Sequence, residues 1–176
     1  MNLEFRITYE WIKRDVPGTF LEIVDASKIA NSLDYFLTIY QGYFTLNIQG
    51  YELHFDLDPD LSTIFEMIPN ALITLTKNTD QPVELDFFEQ GSDIGILMQR
   101  LDDQIIISFD TAPASGTRFK FLPDVPLAVP ADQFYRQWLH FTRAILNSLT
   151  EMNPELANDE SCQKYFSQLT YLESQI

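Results

Sequence analysis

Apolar and polar residues alternate along the first stretch of the chain. In "NLEFRITYEWI" the apolar residues share one face of an extended backbone and the polar residues share the other. This period of two predicts a half-buried β-strand with Leu3, Phe5, Ile7, Tyr9 and Trp11 facing inward. A turn at 16–18 follows, and "TFLEIVD" (19–25) predicts a second strand antiparallel to the first.

From Asp25 the apolar residues recur at helical spacing instead. We expect a helix of about four turns that buries Ile29, Leu33, Phe36, Leu37 and Tyr40, with Gly42 as its stop signal.

The segment "YFTLNIQGYELHFDLD" carries the strongest hairpin pattern in the chain. A two-residue loop at Gln49-Gly50 predicts a register that joins apolar to apolar residues on one face. Those pairs are Ile48 with Tyr51, Leu46 with Leu53, and Phe44 with Phe55. The opposite face pairs Asn47 with Glu52, Thr45 with His54, and Tyr43 with Asp56.

The middle of the chain predicts a short helical region and then three strands. Asp60 is expected to cap a helix that runs through Leu61, Ile64, Phe65 and Ile68 until Pro69 breaks or kinks it. "ALITLT" (71–76) fits either a strand or further helical turns, and we favour helix. "PVELDFF" and "DIGILMQRLDDQIIISFD" predict the strands, with a turn at Asp102-Asp103 that pairs Met98 with Ile107 and Ile96 with Phe109. Leu97 and Ile106 make the second face partly apolar, which predicts central strands.

Residues 111–130 contain four of the nine prolines and predict a long connection, with a short extended piece at "RFKFL". Two helices follow. The first begins near Pro130 and buries Phe134, Trp138, Phe141, Ile145 and Leu149, and the second places Cys162, Phe166, Leu169 and Leu172 on one side. We therefore expect a single α+β domain over residues 1–176, with a mainly antiparallel sheet of about six to seven strands and packed helices, two of them C-terminal.

Composition is that of a globular protein. Of the 176 residues, 45% are apolar, and Cys162 is the sole cysteine, so no internal disulfide holds the fold. The N-terminus has no signal-peptide pattern, and the apolar runs are far shorter than a membrane helix requires. These features predict a cytoplasmic protein.

The net charge of −15 is concentrated in the middle third of the chain. Residues 51–110 hold 13 acidic and 2 basic residues, a net charge of −11, whereas the segments on either side carry −2 each. This charge disfavours nucleic acid as a ligand and favours a basic protein partner. The alternative is that the acidity serves solubility alone.

One strand presents a possible metal site. Glu52, His54, Asp56 and Asp58 alternate and so point the same way on an extended chain. The more ordinary interpretation is the solvated face of a hairpin, because strand alternation alone predicts a polar face there.

No catalytic constellation is evident. Ser92 lacks the flanking residues of a nucleophile elbow, no phosphate-binding glycine loop occurs, and Cys162 falls on an apolar stripe. We therefore expect no cofactor, and enzymatic activity is disfavoured without being excluded.

The loop "FFEQGSD" (87–93) interrupts an apolar region. Gly91, Ser92 and Asp93 suit a turn between strands, and the same loop presents hydrogen-bonding groups to a partner rich in Arg or Lys. The predicted partner-binding residues are those of this loop and of the next turn: Glu89, Gln90, Ser92, Asp93, Asp102 and Asp103.

The run from "VELDFFEQGSDIGILMQRLDDQIIISF" to "FYRQWLHFTRAILNSLTEMNPELAND" resembles small acidic bacterial proteins of uncharacterised families, some of which are thought to be immunity proteins of polymorphic toxin systems. The resemblance covers about residues 60–175 and lies in the E-Q-G-S turn and the two terminal helices joined at "NPEL". It implies an α+β protein that binds and neutralises a cognate toxin.

Three hypotheses follow. The first is a non-enzymatic protein-binding domain, plausibly an immunity protein with a basic toxin as partner. The second is a metal-binding domain or metal-dependent enzyme that uses Glu52, His54, Asp56 and Asp58. The third is a structural protein that self-associates through an exposed aromatic face; the sequence does not fix the oligomeric state.

Overall fold

Two antiparallel sheets carry the fold, and each is a simple meander. The computed structural model describes residues 4–15, 29–77, 81–87, 94–111 and 122–176. A three-stranded sheet has the order β1-β2-β3, and a four-stranded sheet has the order β4-β5-β6-β7. The strands are β1 Phe5–Lys13, β2 Tyr40–Ile48, β3 Tyr51–Asp56, β4 Val83–Asp86, β5 Ile94–Leu101, β6 Gln104–Thr111 and β7 Leu127–Pro130. The α-helices are α1 Ile29–Ile39, α2 Ser62–Ile64, α3 Ile68–Thr76, α4 Ala131–Met152 and α5 Glu160–Glu173.

The α+β class is confirmed, but the expectation of one sheet of six to seven strands is wrong. The helical region after β3 separates the two meanders, and other groups occupy strand edges that would otherwise extend the sheet. The edge of β1 faces α4, where Gln133 and Gln137 accept hydrogen bonds from the backbone N–H groups of Phe5 (3.2 Å) and Ile7 (3.0 Å). At the edge of β7, the Gln49 amide donates to the carbonyl of Ala128 at 2.6 Å.

The β2–β3 hairpin is confirmed residue by residue. All six predicted pairs occur in the observed register. Gln49 and Gly50 have φ angles of 55° and 93°. Both loop residues therefore have the positive φ angles that are typical of two-residue hairpin loops whose twist matches that of the strands.

The prediction that Gly42 ends α1 is wrong. The helix ends at Ile39 and β2 begins at Tyr40, so Gly42 lies inside the strand opposite Trp11. A Cβ atom at Gly42 would lie 2.8 Å from the Trp11 Cα and closer still to the Glu10 carbonyl oxygen. Glycine is required here because β1 approaches too closely for a side chain.

Asp60 does not cap a helix as predicted. It lies in a π-helical turn, Leu57–Leu61, where its carboxylate accepts a hydrogen bond from the backbone N–H of Asp56 at 2.8 Å. The helical alternative for 71–76 is confirmed, since these residues belong to α3. Pro69 lies in the first turn of α3, where its missing N–H costs no hydrogen bond.

In the four-stranded sheet, the turn at Asp102-Asp103 and both predicted pairs are confirmed. β5 and β6 are the two interior strands, as predicted. The prediction of a connection throughout 111–130 is wrong at its end, because Leu127–Pro130 form β7 against β6. The predicted strand at 19–25 and all but the last residue of the "RFKFL" segment lie outside the described residues.

Helix α4 is central to the core. Its five predicted stripe residues are all at most 1% exposed. Phe134 contacts Phe5 and Phe141 contacts Phe44, with ring centroids 4.7 and 5.1 Å apart. Phe87, at the end of β4, stacks on Phe55 of β3 at 4.2 Å and so links the two sheets. No helix among the described residues combines the length and apolarity that a membrane crossing needs.

Candidate functional site

The outer face of the four-stranded sheet collects acidic and apolar side chains. On the inner face Ile96, Met98, Ile105 and Ile107 are buried, so the alternate residues point outward. We call this outward surface the acidic face; its described residues are Glu84, Asp86, Gly95, Leu97, Gln99, Leu101, Gln104, Ile106, Ser108, Asp110 and Ala128. Neither Lys nor Arg occurs among them.

The carboxylates and the apolar side chains of the acidic face are arranged in rows. Asp86 and Asp110 lie in one row on either side of Gly95, and Glu84 lies beside Leu97 in the next row. The three carboxylate residues are exposed, and Leu97 and Ile106 at the centre are half-buried. Leu101 at the far end is 60% exposed. The face therefore has an apolar centre with negative charge at one end.

The β5–β6 turn adds two carboxylates next to this face. Asp102 has a φ angle of 55°, and both turn residues are exposed. Their carbonyl oxygens are bound: Arg100 Nε donates to Asp102 at 3.0 Å, and the Ala131 N–H donates to Asp103 at 2.8 Å. In the described part of the chain neither carboxylate forms an ion pair. The backbone is thus fixed while both carboxylates remain available.

The other predicted contact residues, Glu89, Gln90, Ser92 and Asp93, lie outside the described residues. The described residues on either side of this segment are Phe87 and Ile94, next to Asp86 and Gly95 of the acidic face.

The predicted metal residues are brought together only in part. His54 Nε2 lies 3.7 Å from Glu52 Oε2, and His54 Nδ1 shares a 2.8 Å hydrogen bond with the Thr45 hydroxyl. Asp58 lies beyond the end of β3, in the π-helical turn. Within the described ranges, no three His, Cys, Asp or Glu side chains are placed to hold one metal ion.

Cys162 lies in the core, as its apolar stripe predicts. Its side chain is fully buried, and burial together with the nearby Asp159 carboxylate raises the pKa of the thiol. Both effects disfavour the thiolate that a nucleophile needs.

A cavity between the β5–β6 turn and the start of α4 was not predicted. It has a volume of about 340 Å³, and its lining includes Arg100, Asp103, Asp132 and Tyr135. The sequence held one signal for it, because Arg100 continues the inward row of Ile96 and Met98 and so places a charge where the pattern calls for an apolar residue.

Comparison with protein-family models, curated proteins and solved structures finds no match to this chain.

Proposed function

We propose that this chain is a non-enzymatic protein-binding domain that engages a basic protein through the acidic face and the adjoining β5–β6 turn. One observation carries the proposal: exposed carboxylates lie at one end of a half-buried apolar centre, and no described residue of the acidic face is basic.

The apolar centre and the neighbouring carboxylates of the acidic face are features that protein–protein interfaces use. Apolar residues at the centre of an interface exclude water, and charged residues at its border select the partner and accelerate association. Carboxylates bind guanidinium groups through paired hydrogen bonds, so Glu84, Asp86 and Asp110 favour a partner surface rich in Arg. Glu89 and Asp93 of the neighbouring loop are proposed to extend this contact.

The resemblance to acidic bacterial proteins gives the proposal its specific form. We propose a cytoplasmic immunity protein that binds and neutralises a basic toxin. Toxins that attack nucleic acid are often basic because their substrate is anionic, and an acidic face complements such a surface.

The test is affinity capture with two matched variants. The purified chain is immobilised, exposed to lysate of its source organism at low and then high salt, and the retained proteins are identified. One variant is Glu84→Gln with Asp86→Asn and Asp110→Asn on the acidic face. The control, Glu10→Gln with Glu52→Gln and Asp56→Asn, removes three exposed carboxylates from the other sheet.

We expect one basic protein to bind stoichiometrically, to elute with salt, and to be lost by the first variant alone. Equal loss with both variants would mean that net charge, and not this face, determines binding. Retention that is unchanged from low to high salt would also contradict the proposal. Loss of toxicity when the captured protein and this chain are produced together would establish the immunity function.

A further inference from the structure

The cavity beside the β5–β6 turn contains a cation without a counterion. The Arg100 guanidinium is held by two backbone carbonyls, with Nε 3.0 Å from Asp102 O and Nη1 3.5 Å from Thr76 O. It forms no ion pair with any described residue. A guanidinium has five N–H donors, so several remain for an anion in the cavity.

Tyr135 lies beside this cation. The residue is 3% exposed, and the Arg100 guanidinium carbon lies 5.9 Å from the centre of its ring. Burial raises the pKa of Tyr135, and the charge of Arg100 and a side-chain hydrogen bond with it partly oppose this effect. Tyr135 therefore helps to position the guanidinium in the lining of the cavity.

The start of α4, two aspartates and the residues Gln175 and Ile176 also line the cavity. Ala131 and Asp132 begin this 22-residue helix, whose N-terminus carries partial positive charge. Asp132 forms an ion pair with Arg136, which leaves Asp103 as the cavity carboxylate without an ion-pair partner. Among the charged side chains of the lining, Arg100 and Asp103 therefore form no ion pair with any described residue.

We propose that this cavity binds a small zwitterion of the amino-acid class, with its carboxylate on Arg100 and its ammonium group on Asp103. A phosphate or dicarboxylate would meet repulsion from Asp103, whereas a zwitterion turns the same carboxylate into a contact. The cavity volume falls in the range of small-molecule sites. This inference does not depend on the proposed protein partner.

The experiment is isothermal calorimetry of the full chain with the standard amino acids, at constant ionic strength. Alanine is compared with its two halves, propionate and ethylamine. We expect at least one amino acid to bind, and both halves to bind about tenfold more weakly than alanine or not at all. Absence of heat with every amino acid would overturn the proposal, as would propionate that binds as tightly as alanine.

Two variants separate a binding role from a structural one. Arg100→Gln is expected to weaken amino-acid binding by about tenfold or more, since a charge-assisted contact is lost, while the surface control Arg6→Gln leaves it unchanged. Asp103→Asn is expected to weaken the binding of alanine by about tenfold and to leave propionate unaffected, because only the contact with the ammonium group is lost. Alanine that binds the Asp103→Asn variant as tightly as the unaltered protein would contradict the proposal.

Discussion

The outer faces of the two sheets are built by the same strand alternation but differ in how they use polar groups. On the three-stranded sheet, polar side chains bond across strands: Tyr43 donates to Glu10 at 3.0 Å, Thr45 meets His54 at 2.8 Å, and Asn47 donates to Glu52 at 3.4 Å. On the four-stranded sheet, Asp86 and Asp110 instead flank a glycine, beside half-buried Leu97. Polarity is common to both faces, but the three-stranded sheet joins polar side chains across its strands, whereas the four-stranded sheet places two carboxylates in one row beside apolar residues.

The largest expected effect tests how closely the three-stranded sheet is packed. Gly42→Ala places a Cβ atom against the β1 backbone, so we expect a loss of about 3 kcal/mol in the free energy of unfolding, measured in urea. Gly50→Ala is the control, because no atom lies within 4 Å of its added Cβ and only the left-handed φ is strained, at about 1–2 kcal/mol. A loss at Gly42 no larger than at Gly50 would show that β1 moves away easily.

The next effect concerns the edges of the two sheets. Gln137→Ala leaves the Ile7 N–H without its acceptor, and we expect a loss of about 1–2 kcal/mol in the free energy of unfolding. Gln49→Ala removes one donor from the Ala128 carbonyl and is expected to cost about half as much, because Ala128 is only half-buried and water can replace the lost donor. Gln163→Ala, an exposed glutamine on α5, is the control for chemical denaturation. If all three variants are equally stable, the glutamines do not secure the edges.

A smaller effect compares the two outer faces directly. Thr45 is 6% exposed and its hydroxyl bonds to His54, so we expect Thr45→Val to lower the free energy of unfolding by about 1 kcal/mol. Glu84→Gln with Asp110→Asn, on the acidic face, is expected to change the free energy of unfolding by less than about 0.5 kcal/mol. A large loss from the second variant would make those carboxylates structural and weaken their assignment to a partner.

The smallest effect is spectroscopic. The Tyr43 hydroxyl donates to the Glu10 carboxylate, and this bond and the adjacent negative charge raise the pKa of Tyr43. In Glu10→Gln the negative charge is removed and the Tyr43 hydroxyl can bond only to a neutral amide oxygen, so the pKa is expected to fall toward the ordinary tyrosine value. Alkaline titration by ultraviolet absorbance, as the difference between the two proteins, measures it. Tyr43→Phe identifies the signal, and an unchanged titration in Glu10→Gln would show that the cross-strand bond does not persist in solution.

Local pattern predicted much of the fold because local rules decide those elements. The β2–β3 register follows from a two-residue loop and from alternation, and the α4 stripe follows from helical spacing. The division into two sheets was not predictable, because it depends on contacts such as Gln137 with Ile7 and Gln49 with Ala128, which lie far apart in the chain.

The candidate site shows the same limit. Asp102 and Asp103 were predicted because a turn and its charge are both local features. The neighbouring cavity was missed because its lining comes from different elements, with Arg100 on β5 and Tyr135 on α4. β7 was missed because four residues between prolines carry too short a pattern to indicate a strand.

The two glutamines of α4 are synthesised long after β1, whose backbone N–H groups they bind. They lie 128 and 130 residues after the β1 donors they bind, so a ribosome making about 5–20 residues per second takes about 6 to 25 seconds to supply them. During that interval the two β1 N–H groups lack the acceptors that they have in the described fold, which leaves this strand edge able to pair with other chains. We therefore expect chaperones that shield nascent chains to raise the yield of this protein.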